Sequence, residues 1–491
     1  MRADVTDSQE GFTGGLNTTA EEATLAPNEM RLAQNIRLAI EGSALKRGST
    51  RNVSAARPDA TEVPIRGFSW RQPSAALELL AVGGVTTGKL YTGTYGIPMT
   101  WTYIGNLNNP VGPPQFAAFR DLSDECVYLA QSGLMKYKAG ALTSPAGTPA
   151  NICRIAVQNN RLFGITGVDQ TLWYSNLNDG DSLGIEASQG GSQIIRTYGN
   201  QELTALAAVG DSLLIFHRSA ISRFTGYGAG DISIASGTRG VTSDVGTVAP
   251  DSIVVVENVC YFLTDRGFYA ATEDGVHAIS EKIERTITEL DHGNYFQVQG
   301  VHNRRYREVW WTFPQTGAYV YNYRLKSWSG PMVGAFERSY TSWETQDSAA
   351  NPIVLMGSYS DGFVKLVDSP AVVVNEVRDS ILSDGTGGNA VVSVIKCHRM
   401  TFGSRESEKA FRFFYLQCDT GGSAACTLSW DTNLSAYSLG SFLPVIAGTR
   451  ERSTQAWGRG YHVDITITDN GVTYGSFERI VVAAFDYGNR Y

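Results

Sequence analysis

Charge is scarce in this chain of 491 residues: Asp, Glu, Lys and Arg together make up 18% of it, below the usual quarter. What charge there is leans acidic, at −8, which argues against a broad basic surface built to grip nucleic acid or anionic lipid. Long apolar runs are missing too. The richest, Ile253 to Val256 and Ile480 to Phe485, fall far short of the roughly 18 residues that a spanning helix needs. The opening MRADVTDSQE lacks a charged-then-apolar leader pattern, so the chain is expected to stay in the cytoplasm where it is made, or in an assembly built there. Cys126, Cys153, Cys260, Cys397, Cys418 and Cys426 contain no C-x-x-C pair and read as reduced, mostly buried thiols. Cys418 and Cys426 alone are close enough in sequence to face each other across a hairpin. No H-x-x-x-H pair occurs among the six histidines, so neither a metal nor a cofactor is expected.

Glycine and aromatic residues are plentiful instead, with 52 glycines and an aromatic share of 11%. The stretch EVWWTFPQTGAYVYNYRLKSW, Glu308 to Trp328, holds seven of those aromatics in two strand-like bursts around a turn at Gln315 to Gly317. The same grammar recurs at 78–93, 125–140, 161–176, 212–226, 259–272 and 352–368. Residues near the middle of each first burst (Ala81, Tyr128, Gly164, Ile215, Phe262, Trp311, Leu355) are spaced by 47, 36, 51, 47, 49 and 44. Periods of about 40–50 residues built from short strands mark a β-propeller, whose blades cannot bury their faces alone. The hairpins predict six or seven blades, seven if each belongs to its own blade. Because VWWTF and VYLA are apolar on both faces, they read as strands sandwiched between neighbouring blades.

One helix is expected from EKIERTITEL, capped by Ser280, with Ile283, Ile287 and Leu290 on one face. Pro27 is expected to start a short helix reaching Met30 and Ile36. Beyond Asp368 the pattern changes. VRDSILSDGTGGN is turn-rich, and afterwards Val463, Ile465 and Ile467 alternate with His462, Asp464, Thr466 and Thr468 as in a half-buried strand. The fold class is therefore all-β, a propeller followed by a β-sandwich. The divisions are 1–62, an N-terminal arm and closing strand; 63–376, the propeller; 377–389, a linker; and 390–491, the sandwich.

Catalytic signatures fail on context. GDSLG, Gly180 to Gly184, matches a nucleophile elbow as text, but loop-like SNLND and IEASQGGS flank it where a strand and a helix are needed. The glycine-rich GYGAGD at 226–231 lacks the strand and helix of a phosphate cradle, and SYSDGF at 358–363 is a single, imperfect approach to the repeated turn of sialidase propellers. No enzymatic activity is expected. The densest basic cluster, Arg304, Arg305 and Arg307 in NRRYRE, is a candidate DNA or subunit contact, a solvated turn being the plainer reading.

The N-terminal segment GFTGGLNTTAEEATLAPNEMRLAQNIRL, followed by GSALKRGST, supplies a resemblance through Phe12, Gly14, Gly15, Leu16, Asn17, Pro27, Asn28, Asn35, Leu45, Arg47 and Gly48. It resembles the opening of the β-propeller tail proteins of bacteriophages, in particular the tail nozzle or packaged-DNA stabilisation proteins of short-tailed phages. Those proteins read Arg-Pro-Gly where this chain has Lys46-Arg47-Gly48, so the turn there is expected to differ. A first strand that closes the propeller ring explains the segment equally well. The resemblance implies a structural virion protein at the distal end of the tail, a cyclic homo-oligomer, often a hexamer, docked on neighbouring tail or adaptor rings. Such a ring retains packaged DNA and later touches it transiently in the exit channel. The alternative is a tail propeller that binds or cleaves a host glycan.

Overall fold

The computed structural model describes residues 3–39, 41–54, 57–58, 62–71, 77–84, 88–107, 112–167, 169–185, 190–196, 201–226, 233–235, 240–242, 244–290, 292–358, 363–369, 378–379, 388–419, 426–433, 436–438, 451–455, 458–471 and 476–486. Most of the 377–389 connection, the GYGAGD and SYSDGF loops and the final YGNRY fall outside them.

Short strands joined by tight turns pair locally, each with its sequence neighbour, into small antiparallel sheets. Sheet 1 runs over 64–106, sheet 2 over 115–143, sheet 3 over 154–194, sheet 4 over 203–235, sheet 5 over 254–278 and sheet 6 over 299–332, each with four strands in chain order. Sheet 7 takes three strands from 341–369, and its fourth is Ser49–Asn52, from the other end of the chain. Ala81, Tyr128, Gly164, Ile215, Phe262, Trp311 and Leu355 all fall on the second strand of their sheets. The spacing seen in the sequence is thus the repeat of a whole four-stranded sheet.

Alternating side chains of each second strand point to opposite neighbours. Val127 and Leu129 meet Leu80 and Val82 of sheet 1, whereas Cys126 and Tyr128 meet Leu162 and Leu183 of sheet 3. Sheets 3 and 4 join through Phe163 and Phe224, rings 4.8 Å apart, and sheets 4 and 5 through Phe216 and Phe262, 5.0 Å apart. Trp311 packs on Phe268 of sheet 5 at 4.3 Å, while Trp310 turns the other way into the core shared by sheets 6 and 7. Leu355 and Leu366 of sheet 7 share a core with Leu79 and Ala81 of sheet 1, so the succession returns to its start. Each aromatic burst therefore fills a contact between sheets. The first strands of the sheets likewise neighbour one another around the whole circuit.

A second region has two layers. One contains Ala3–Glu10, Ser476–Asp486, Lys409–Asp419, Glu451–Gln455 and the hairpin of Ile36–Leu38 with Ala44–Lys46; the other contains Glu29–Gln34, Ser393–Cys397, Val463–Asp469 and Cys426–Thr432. Phe414, Ile480 and Val482 of the first layer share a core with Trp430, Ile465 and Ile467 of the second, the Phe414 and Trp430 rings lying 4.8 Å apart. Val463–Asp469 alternates buried and half-buried as its sequence predicts. The second layer continues into sheet 6 where Ala33 pairs with Gly330. Residues 3–46 are divided between both layers, and the chain then enters sheet 7, where Ser49–Asn52 is the strand that closes the circuit.

Three local expectations are corrected. No helix follows Pro27. Pro27 instead sits in a turn closed by the Glu29 N–H on the Ala26 carbonyl, and Glu29–Gln34 is a strand because Ser393–Cys397 offers it a ladder of hydrogen bonds. The helix after Ser280 exists as a 3₁₀ turn, Glu281–Ile283, running into Glu284–Glu289, with Ile283 and Ile287 buried. Ser280 does not cap it; its hydroxyl accepts the Phe268 N–H across sheet 5 at 2.9 Å. Cys418 and Cys426 lie on strands of different layers, not on one hairpin.

Candidate functional site

Two places concentrate polar groups under constraint. The first is the axis around which the first strands gather. Asp251 reaches Arg66 at 3.0 Å and Arg154 at 3.4 Å, joining sheets 1 and 3 to the turn that opens sheet 5. This ion triad spans the circuit rather than one contact between neighbours. Gln299 of sheet 6 donates to the Ile65 carbonyl of sheet 1 at 3.1 Å, a further tie between sheets that are not adjacent. A cavity of about 330 Å³ opens beside the triad, lined by Arg66, Gln115, His302, Trp343 and Glu344 among others. Burial, with Arg304 adding to it, pushes the His302 imidazole down to about 4, so that ring is neutral at pH 7. Burial likewise raises the Glu344 carboxyl, and Arg304 offsets part of that rise. Burial lowers the Arg66 guanidinium from its ordinary value while Asp251 draws it back.

Replacing Asp251 by Asn keeps the shape and removes the one carboxylate between two guanidiniums. Asp251→Asn is expected to cost about 1–3 kcal/mol of stability, read as a shift in the urea midpoint with the slope unchanged. A midpoint equal to that of the unaltered protein would mean that the triad does not tie the circuit together.

The second place is the joint between the circuit and the two-layered region, built by the N-terminal segment. Phe12 and Leu16 are buried in the core that both regions share. Gly15 has φ +73°, and a Cβ there would lie 2.6 Å from the Trp328 carbonyl oxygen, so only glycine lets this backbone approach sheet 6. Asn17 donates to Glu29 at 2.9 Å. Asn35 occupies the left-handed region, φ +54°, which Asn tolerates. Its Oδ1 accepts from Arg47 Nε and from the Val333 N–H, both at 2.9 Å, and its Nδ2 donates to the Val392 carbonyl at 2.7 Å.

Arg47, 1% exposed, is the centre of this joint. Its remaining donors go to the Gly48 and Val333 carbonyls and to both carboxylate oxygens of Asp379, at 2.9 and 2.7 Å. Asp379 also accepts from Thr50 Oγ1 and the Ala335 N–H. Burial pushes its carboxyl up, but Arg47 and these hydrogen bonds outweigh that and hold it below the ordinary carboxylate range. Beside it, Lys46 and Asp469 form an ion pair at 3.3 Å with both side chains fully buried. The sequence marked most of these N-terminal positions as a motif, but it did not show that they form one joint, nor that Asp379 completes it.

Arg304, Arg305 and Arg307 are all exposed on the turn between the first two strands of sheet 6. Their contacts differ. Arg304 faces Glu344 at 3.4 Å, Arg305 lies 5.2 Å from the Tyr306 ring, and Arg307 has φ +60°. The turn itself is anchored, since Arg37 pairs with the buried Glu308 at 2.8 Å and stacks 3.4 Å over Tyr306. Ser182 of GDSLG is buried in a 3₁₀ turn, donating to the Asp179 carbonyl at 2.7 Å and accepting the Asn176 N–H. Among the described residues, no cluster of three or more His, Cys, Asp or Glu has metal-binding geometry.

The chain is all-β in its main body, a succession of small four-stranded antiparallel sheets of propeller-like character. No protein family's sequence profile matches it, and no curated protein matches it in sequence. Among solved structures it is similar to PorZ, an essential bacterial surface component of the type-IX secretion system of Porphyromonas gingivalis, at 12% identity and a TM-score of 0.40, over 77% of this chain and 53% of that one. It is also similar to a chain of a mitotic checkpoint complex, at 10% identity and a TM-score of 0.38, over 65% of this chain and 91% of that one. The chain thus spans about half the length of the PorZ chain. No helix among the described residues is long and apolar enough to cross a membrane.

Proposed function

We propose that this chain is a structural, non-enzymatic protein of a bacteriophage tail: a seven-bladed β-propeller joined to a β-sandwich, assembled as a cyclic ring that retains packaged DNA and forms its exit channel. The observation that carries the reading is the N-terminal segment. Its residues resemble the opening of phage tail nozzle proteins, and Phe12, Gly15, Leu16, Asn17, Asn35 and Arg47 build the joint between the circuit of sheets and the two-layered region.

The propeller axis is occupied by Arg66, Asp251 and Arg154, so the conduit in this reading runs between copies and not through one of them. The net charge of −8 suits a channel wall, because a wall that neutralised many phosphates would act as a brake on exit. Arg304, Arg305 and Arg307 remain the candidate contact with DNA or with a neighbouring subunit.

The purified protein is expected to give closed rings in negative-stain images and a light-scattering mass that is a small multiple of 53.2 kDa. It is expected to leave duplex DNA unshifted in a gel even at about 50 mM salt, where electrostatic binding is strongest. A monomer at all concentrations, together with virions that an antibody to the protein fails to label, would end this reading. Sugar released from host polysaccharide would replace it with a glycan-cleaving tail propeller.

A further inference from the structure

Beside the joint, a cleft of about 450 Å³ gathers four arginines from three stretches of chain: Arg31 from Glu29–Gln34, Arg285 from the helix Glu284–Glu289, and Arg399 and Arg405 from the connection after Ser393–Cys397. Two of them are neutralised within the chain. Arg399 pairs with Asp464 at 2.7 Å and with Glu22 at 2.6 Å, and Arg285 with Glu289 at 3.2 Å. The other two are held by carbonyl oxygens, which fix a guanidinium without cancelling its charge. Arg31 Nη1 donates to the Thr18 and Ala20 carbonyls at 2.6 and 3.0 Å, and Arg405 Nη2 to the Ala23 carbonyl at 3.0 Å. Among the described residues, neither of these two has a carboxylate at ion-pair distance. Among the described residues, Arg31 and Arg405 thus keep positioned positive charge that no ion pair cancels, beside the carboxylate of Glu21 in the same cleft.

A hollow of opposite sign is built on the first layer, whereas Arg31 stands on a strand of the second. It is about 650 Å³ in volume and sets Glu10, Glu41 and Glu478 against a single arginine, Arg479, which faces Glu10 at 3.7 Å. Strand Lys409–Asp419 links the two places: its Lys409 end donates to the Ser404 carbonyl beside Arg405, and its Gln417 lines the acidic hollow. Eight residues of strand at about 3.3 Å each separate Lys409 from Gln417 by roughly 26 Å. Among the described residues, neither Arg31 nor Arg405 is paired with Glu10, Glu41 or Glu478 within one copy. Paired between copies, these patches make a head-to-tail contact, which either closes by rotation or runs on as a filament.

We propose that the Arg31–Arg405 cleft of one copy receives the Glu10–Glu41–Glu478 face of a second copy of this chain, and that this contact closes the ring. The inference rests on the ring reading given above. A second copy fits better than a nucleic-acid backbone because Glu21 and Glu22 also line the cleft; they would repel phosphates, whereas the acidic face brings Arg479 to them.

Charge reversal tests it, with the mass read by light scattering. Arg405→Glu and Glu41→Arg change exposed side chains, and each is first checked for an unaltered melting curve. Each alone is expected to weaken self-association about a hundredfold, through the repulsion that like charges bring to a contact. Mixed in equal amounts, the two variants are expected to recover the full ring mass, because each repaired contact pairs one variant with the other. The unaltered ring is also expected to loosen as NaCl rises from about 0.05 to about 0.5 M, where screening shortens to a few ångströms. If the unaltered protein forms rings and either variant forms them equally well, the inference fails while the ring reading stands. Variants that stay apart when mixed refute the pairing of these two faces. A cleft that instead retards duplex DNA, with Arg405→Glu abolishing the retardation, assigns it to phosphate and overturns the proposal. If the unaltered protein is monomeric throughout, both readings fall together.

Discussion

Arg47→Ala is expected to remove about 3–5 kcal/mol of stability at neutral pH, the usual cost of taking one partner from a buried ion pair. The size follows from the geometry. The guanidinium has five N–H donors, and all of them are used, on Asn35, Gly48, Val333 and both oxygens of Asp379. Alanine leaves Asp379 as a largely buried carboxylate with, among the described residues, the Thr50 hydroxyl and the Ala335 N–H as its remaining donors.

The pH dependence separates this from mere loss of packing. In the unaltered protein the Asp379 pKa lies below its unfolded value, so its stabilising effect is complete above about pH 4 and is lost only as pH falls through the lower folded value. In the variant, burial without a cation raises that pKa above the unfolded value. The folded variant then prefers the neutral acid, and its deficit narrows as pH is lowered toward about 4. Urea midpoints measured across that range check the prediction. A deficit that stays constant with pH would show that Asp379 is not the group left behind. Asp379→Asn in the Arg47→Ala background should recover part of the loss at neutral pH and none of it in acid.

Trp311→Ala carries the other large effect, again about 3–5 kcal/mol for the emptied volume. Trp311 is fully buried between sheets 5 and 6, 4.3 Å from the Phe268 ring and 5.5 Å from that of Trp328. Its Nε1 donates to the Ser252 carbonyl at 2.8 Å, so the substitution also takes a partner from a buried acceptor, which adds to the cavity's cost. Trp311→Phe is expected to keep a good part of the packing and lose the hydrogen bond. Leu122→Ala, at a side chain 79% exposed, is the control and is expected to change stability by less than about 0.5 kcal/mol. Equal effects at Trp311 and Leu122 would contradict the reading of the aromatic bursts as the filling between sheets.

The aromatic bursts also show why so much of the fold was legible. A strand buried on both faces must be apolar at consecutive positions, and a sheet that repeats must repeat that signature, so the seven marker residues landed on equivalent strands. The same logic made Val463, Ile465 and Ile467 readable as one buried face. The failures share a cause as well. Pro27 to Ile36 has a composition that suits a short helix, but hydrogen bonding to Ser393–Cys397, some 360 residues away, decides in favour of strand. The Ser280 hydroxyl found a better partner across sheet 5 than at the helix start. In both cases a distant segment competed with a local preference and won.

The candidate sites divide in the same way. Arg304, Arg305 and Arg307 were visible because they are adjacent in sequence, and on the turn each has contacts of its own. The groupings that do converge, Arg66 with Asp251 and Arg154, Arg47 with Asp379, and Arg31 with Arg405, are assembled from positions 88 to 374 residues apart. No spacing rule reaches across such intervals.

What the amino-acid order determined alone is the material of the fold: many short, two-sided apolar strands at a regular period, acidic in sum, with glycine and asparagine where the backbone must turn. Local pairing needs only neighbours, so those properties suffice to make each small sheet. Only the tertiary structure decided which residues of the expected closing segment close the circuit and what it closes around, because closure brings Ser49–Asn52 to sheet 7, sets an ion triad on the axis and seats Arg47 on Asp379. Those contacts join segments with no shared local signal, and they form because buried charge and unpaired strand edges cost too much to leave unsatisfied.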